Sequence, residues 1–386
     1  MFVVVLAYLA FFSIALPPSM LGVAWPSLQA SFGVPLAAAG MVPPVGVAAS
    51  LISTTQAARV ARRIGVGPLL ALGTLASGAA VAGSALCATW WQFLVSVAAL
   101  GLASGAIDAT LNAHAARRFG PRRINLLHAW YGVGAAVSPL IVTVALAIGG
   151  GWRAAYLVVA ATLLVTGTVL AVGRHGWPSG PLGEPGSTAA LVMPARVWRT
   201  GTVLGLAAVL VQTGLESAVA IWAYSFLTLH LGVDAVLAGG LASGYWITLV
   251  VGRLGFGRLA ERIGAWAVMA TAIGVLAVAA VLVNLSYPAA GMASVVLFGL
   301  GCAPVYPLLV LTTAERTSPE AADQVVGLQA AASSLGAAVL PGLVGLALAQ
   351  DPGAFAPATS ALVVVAVAVH LLMRSRRASR MVHQDE

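Results

Sequence analysis

Long apolar stretches, separated by short breaks rich in Arg, Gly and Pro, run the length of this 386-residue chain. A membrane-spanning helix needs about 20 apolar residues, and the breaks divide the chain into about twelve such spans. The first covers about 2–28, and Pro17 and Pro18 are expected to interrupt it. The second follows Pro35 and carries Pro43 and Pro44, expected as a bend tolerated where neighbours satisfy the freed carbonyls. The third spans 66–88, the fourth 91–119, the fifth starts near Asn125, and the sixth covers 153–172. A polar, Gly- and Pro-rich connection over 173–199 then separates two halves. The seventh span covers 200–230, the eighth 235–254 and the ninth 265–285. The tenth, 289–313, holds the broken-looking run GLGCAPVYP; the eleventh covers 324–349, and the twelfth ends at Met373 before a basic tail. The pattern predicts an all-α polytopic membrane protein, with bundles at 1–173 and 199–386 and a cytoplasmic linker at 174–198.

Composition agrees: 60% of residues are hydrophobic and 8% charged, against about 25% charged in soluble domains. The net charge of +8 does not point to nucleic acid, because every basic residue is Arg and the arginines sort by loop. With both termini on one side, Arg59, Arg62, Arg63, Arg117, Arg118, Arg122, Arg123, Arg174, Arg196, Arg199, Arg258, Arg262, Arg316 and the tail arginines share it. Arg253 lies at the same-side end of the eighth span, and only Arg153 falls opposite. The positive-inside rule then makes the termini cytoplasmic. The N-terminal span lacks a basic leader, so it is expected to be retained. Cys87 and Cys302 have no metal-ligand spacing, no HExxH or CxxC occurs, and GRLGFG ends a span instead of joining a strand to a helix. No metal and no cofactor is expected.

The halves repeat. GVPLAAAG (33–40) resembles GVDAVLAGG (232–240), RVARRIG (59–65) matches RLAERIG (258–264), GLASGAIDA (101–109) aligns with GLGCAPVYP (299–307), and GAAVSP (134–139) with GAAVLP (336–341). All four offsets are close to 200 residues and keep their order. Two six-span repeats are the plan of a secondary transporter with its site near the midplane. Asp108 aligns with Tyr306, so the repeats diverge at that depth.

Polar residues inside spans are costly and mark function or a helix-bridging bond. On the fourth span Gly101, Gly105, Asp108 and Asn112 share one helical face. Glu216 is the other deep acid, with Gln212 one turn earlier; an amide and a carboxylate suit hydroxyl recognition. Asn125 and His128 share a face at the start of the fifth span, where His128 is a candidate proton relay or an interfacial residue. Trp222, Tyr245, Trp246 and Tyr306 are candidates to stack on a ligand ring or to pack. Gln329, one turn before Ser333, is expected to line a cavity or bridge helices.

The repeat pattern resembles the major facilitator superfamily over essentially the whole chain. GRLGFGRLAERIG (252–264) is similar to that family's loop after the second span of a repeat. The resemblance implies a gating latch of Arg253, Gly257, Arg258, Glu261 and Arg262, in which Gly257 permits close approach and Glu261 pairs with Arg. In the first-half copy Ala58 and Arg62 replace the glycine and the acid. GWRAAY (151–156) resembles the family's motif at the start of the sixth span. AIDATLN, NLLHAWYGVGAAVSP, TGLESAVAIW, SGYWITLVVGRL and GCAPVYP resemble the fucose permease branch, which includes glucose/mannose:proton symporters.

That resemblance implies proton-coupled transport of a small polar solute, a sugar foremost, by alternating access in a bacterial inner membrane. Asp108 and Glu216 are then the proton-coupling acids, and Asn112, Gln212, Glu216, Asn125, His128, Trp222, Tyr245, Trp246, Tyr306 and Gln329 the substrate contacts. Sodium coupling stays open. Proton-antiport efflux, a membrane-embedded enzyme using His128 and an acid, and a non-transporting sensor remain alternatives. No clustered nucleophile–base pair and no soluble signalling domain is expected from the sequence pattern. The expected partners are membrane lipids and a small-molecule substrate, with the chain acting as a monomer.

Overall fold

The computed structural model describes residues 2–177, 198, 200–317 and 319–382, and it is all-helical. Among the described residues, twelve helical stretches are long and apolar enough to cross a membrane. The first six are α1 (Phe2–Phe32), α2 (Val42–Ile64), α3 (Val66–Leu86), α4 (Trp90–Arg118), α5 (Pro121–Ala147) and α6 (Gly151–Val172). The other six spans use α7 (Thr200–Ser225, widened into a π turn over Phe226–His230), α8 (Ala235–Ile263), α9 (Ala265–Val283), α10 (Pro288–Cys302) with α11 (Val305–Leu311), α13 (Pro319–Leu348) and α14 (Phe355–Val382), while α12 (Thr313–Arg316) is a single turn between spans. α10 and α11 together make one span, Pro288–Leu311. The chain divides into two compact units, Met1–Ala189 with Ala235–Trp246, and Ala190–Asp234 with Ile247–Glu386. The expected linker, 174–198, lies outside the described residues except for 174–177 and Trp198.

The prolines behave differently from the sequence expectation. α1 runs unbroken through Pro17, Pro18 and Pro26. Its turn ahead of the first two prolines is held by α5. A Cβ on Gly134 would lie 2.2 Å from the Phe12 carbonyl oxygen, and the Ser138 hydroxyl donates to the Leu16 carbonyl. A neighbour this close keeps the helix in line where the prolines remove its own bonds. Pro43 and Pro44 do not bend the second span. They start α2, in the first turn, where a missing N–H is no loss. Pro304 does break the tenth span: α10 stops at Cys302 and α11 restarts at Val305.

The repeat is written in the backbone. Gly33 and Gly232 both have φ +64°, and Gly65 and Gly264 have φ +92° and +86°. Each pair is about 199 residues apart, at the same junctions of the two halves, in a region where a Cβ is penalised. Close helix approach repeats as well. A Cβ on Gly336 of α13 would lie 2.1 Å from the Leu210 carbonyl oxygen of α7, as Gly134 meets Phe12.

In the first unit α1 packs on α5, α2 on α4, and α3 on α4 and α6. A buried cluster including Leu6, Phe11, Leu70, Ile107, Leu111, Leu127 and Leu170 joins these helices. Near the other end Trp25, Phe32, Trp90, Phe93, Trp152 and Tyr156 form a chain of ring contacts. There Arg153, the lone arginine of its side in the sequence reading, stacks 4.3 Å over Trp152 and donates to the Cys87 carbonyl at 3.2 Å. Burial pushes the Cys87 thiol above its usual range, with Arg153 opposing. In the second unit α7 packs on α13 and α14, and α9 on α10 and α14.

Candidate functional site

The first polar cluster is on α4. Its start is fixed by a capping box, in which the Thr89 hydroxyl accepts from the Gln92 amide and the Gln92 side chain accepts from the Thr89 amide at 3.2 Å. Further along, Gly101 and Gly105 press on α2: a Cβ there would lie 2.4 Å from the Gly46 carbonyl oxygen and 2.5 Å from that of Ser50. Thr54 adds a hydroxyl bond to the Gly105 carbonyl at 3.3 Å. Small residues thus bring the backbones together, the usual way helices associate in lipid. Asp108 follows on the exposed edge of that contact and accepts from the Asn112 side chain at 3.0 Å. Among the described residues it is in no ion pair. Asn125 and His128 are exposed on the first turns of α5, with the His128 ring edge-on to Phe11 at 5.4 Å.

The second cluster belongs to the other unit. Glu216 on α7 meets Arg253 on α8 at 3.3 Å, with side-chain exposures of 16% and 41%. Cys302 from α10 and Tyr306 from α11 lie within electrostatic reach of this pair. Gln212 does not join it. Its amide is 1% exposed and donates to the Cys302 carbonyl at 3.1 Å. The break at Pro304 orphans carbonyls at the end of α10, and Gln212 supplies one of the missing donors.

Other expected contacts are buried or half-buried between helices. Trp222 is fully buried and donates to the Pro341 carbonyl at 2.8 Å, and a Cβ on Gly345 would meet its ring at 2.4 Å. Gln329 is fully buried and accepts from the Thr313 hydroxyl at 3.0 Å. Tyr245 is buried edge-on to the half-buried Trp246, with ring centres 5.5 Å apart. Of the expected latch, Arg253 is engaged with Glu216. Gly257, Arg258, Glu261 and Arg262 lie exposed on the last turns of α8, which is helix and not loop. Gly257 has no atom within 4 Å of where its Cβ would be, and Glu261 is in no ion pair among the described residues.

Sequence reasoning missed two arrangements. The Glu216–Arg253 pair joins residues placed at different depths, and the signal was available: both are charges inside apolar spans. The second is Arg316, read as one more interfacial arginine. It is 6% exposed and donates to the Leu309 carbonyl and the Thr312 and Thr313 hydroxyls. Burial pulls its guanidinium down to about 10, with Glu315 opposing. Glu315 itself accepts from the Trp266 indole at 2.8 Å and lies 3.7 Å from Arg377.

Repeated six-span units, positive-φ glycines at matching junctions and an intramembrane acid in each unit define a polytopic helical membrane carrier. The sequence profile of the Major Facilitator Superfamily matches residues 7–341 and, separately, 204–384. The chain belongs to that superfamily and is a transporter, not an enzyme. A search of curated proteins finds no match. The fold is similar to that of the nucleoside transporter NupG (TM-score 0.76, 13% identity, covering 96% of this chain and 98% of that one). It is also similar to a bacterial homologue of the human lysosomal transporter Spinster, inward-facing and occupied (TM-score 0.76, 13% identity, 97% and 96% covered). The peptide transporter POT gives TM-score 0.75 at 13% identity, with 97% and 94% covered.

Proposed function

We propose that this transporter is a proton-coupled secondary carrier of the fucose permease-like branch, importing a small polar solute of the sugar class by alternating access. In this reading both termini face the cytoplasm of a bacterial cell, and the carrier works as a monomer. The observation that carries it is Asp108: a carboxylate within a spanning helix, bonded to Asn112 and in no ion pair among the described residues. Such a group is costly to keep charged in hydrocarbon and is suited to take up and release a proton. Asn112, Glu216 and Tyr306 are the solute contacts in this reading. Gln212, Trp222 and Gln329 hold helices together.

The test uses the purified full chain in lightly buffered liposomes with a pH electrode outside. The panel includes glucose, mannose and fucose, with nucleosides and dipeptides added because structural neighbours are named for those solutes. A transported solute is expected to make the medium more alkaline as protons enter with it. Asp108→Asn keeps the shape but cannot titrate, so it is expected to lose accumulation while still exchanging solute. Full accumulation by that variant removes Asp108 from coupling. Acidification of the medium points to antiport instead, and a strict sodium requirement without proton movement overturns the reading.

A further inference from the structure

Arg253 and Arg316 belong to the same unit and are used in opposite ways. Arg316 is buried, and its guanidinium is spent on a carbonyl and two hydroxyls. Arg253 is 41% exposed and, among the described residues, shows one polar contact, a single nitrogen 3.3 Å from one Glu216 oxygen. A guanidinium carries five N–H donors, and a well-made carboxylate pair is bidentate at about 2.7–2.9 Å. The pair is therefore loose, and most of the Arg253 fork is unspent. It lies inside the α8 span, ten residues, or about 15 Å at the usual helical rise, before that helix ends. An arginine at that depth is expensive, and a merely structural one is expected to be saturated as Arg316 is.

Resting on the reading of this chain as a carrier of a small polar solute, we propose that the solute carries a carboxylate that docks on the Arg253 fork and displaces Glu216. The class that fits is a polyhydroxy acid such as a uronate or an aldonate, with the Tyr306 hydroxyl beside the docked group. Arg253 exchanges one carboxylate for another. Glu216, parted from Arg253 in a poorly hydrated site, takes one proton from the medium on the oxygen that Arg253 releases, so anion and proton enter the site together without net charge. Among the described residues, Cys302 from α10 and Tyr306 from α11 are further titratable groups that face the pair. Neither needs to change its proton for the exchange to balance.

The experiment compares glucuronate and gluconate with glucose on the purified full chain, by thermal shift and by calorimetry in buffers of different ionisation heat. The acids are expected to bind better than glucose, with about one proton taken up per acid bound. Arg253→Gln is expected to lose that preference by roughly tenfold or more. Glu216→Gln guards against a misfolded arginine variant, since it frees the fork: it is expected to bind the acids at least as tightly, with the proton uptake gone. A panel in which no acid gives an Arg253-dependent shift overturns the proposal. If glucose still enters with protons in that case, the carrier reading stands and only the substrate class fails. If acids bind through Arg253 but Glu216→Gln leaves proton uptake intact, the displacement step fails.

Discussion

Gly134 and Gly336 occupy equivalent places in the two repeats, and replacing either with Ala tests the closest helix approach in each unit. The added Cβ would sit 2.2 Å from the Phe12 carbonyl oxygen in one case and 2.1 Å from that of Leu210 in the other. A relaxed C···O contact is about 3.3 Å or more, so the helices must part by roughly 1 Å. That separation also strains the Ser138 bond to Leu16 and the Thr213 bond to the Ser333 carbonyl, now 3.0 Å. Overpacking costs about 1–3 kcal/mol, and each weakened hydrogen bond about another 1 kcal/mol. Against this, Ala gains about 1 kcal/mol over Gly in a helix interior. The loss wins by roughly 1–3 kcal/mol, or several degrees of Tm for a cooperative unit of this size. Thermal unfolding of the purified variants in detergent is the assay, with Gly274→Ala as control because nothing lies within 4 Å of its Cβ position. The control is expected to be neutral or slightly stabilising. If Gly134→Ala and Gly336→Ala behave like it, the two helix pairs do not approach as described.

Trp222→Phe removes the bond to the Pro341 carbonyl and is expected to lower stability by about 1–2 kcal/mol with solute affinity unchanged; a selective loss of affinity in ligand titrations would return Trp222 to the site. Gln212→Met deprives the Cys302 carbonyl of its donor but also removes a buried amide oxygen that has no partner among the described residues. These offset each other to within about 1 kcal/mol, so a Tm close to that of the parent is expected, and a large drop would show that the amide oxygen is bonded, for instance to water. Arg316→Met leaves the Leu309 carbonyl and two hydroxyls without their donor and is expected to cost about 2–4 kcal/mol, read as lost monodisperse yield and lowered Tm. Cys87 and Cys302 are both buried and are expected to resist maleimide until the protein is unfolded; rapid labelling of the folded carrier would contradict their burial.

The twelve spans and the repeat were legible because they rest on long-range averages and on spacing. A run of apolar residues has few alternatives in lipid, and four matched segments at one offset are hard to produce otherwise. Proline was the weak point. Whether Pro17 breaks a helix depends on what stands beside it, and the answer lay in Gly134 and Ser138, more than a hundred residues away. The polar residues show the same limit. Gln212 and Glu216 are one turn apart on α7, so periodicity puts them on one face, yet Gln212 goes to Cys302 and Glu216 to Arg253. Side-chain direction was decided by the break at Pro304 and by the depth of Arg253, neither of which a helical wheel contains.

The two units also divide the chemistry unequally, and the repeat makes the division visible. Asp108 on α4 aligns with Tyr306 on α11, so the second repeat has a phenol where the first has an acid. Its acid stands instead on α7, with a cation from α8. The residue aligned with Glu216 at the repeat offset is Pro17 or Pro18 of α1, which cannot offer a charge, and Arg253 aligns with Thr54, whose hydroxyl is bonded to the Gly105 carbonyl. Among the described residues, Asp108 and Glu216 are the carboxylates deep within spans of the two units, and only Glu216 of these two is paired with arginine. Moving an ion-paired acid off its cation costs more than moving a neutral, protonated one, because the desolvation cost falls on two groups instead of none. Where both acids act in one transport cycle, the solitary carboxylate is suited to release its proton to the other side, and the paired one to yield its cation to the solute and take up a proton as it does. Replacing Asp108 is accordingly expected to abolish accumulation, and replacing Glu216 to remove the proton taken up with an acidic solute while leaving its binding in place.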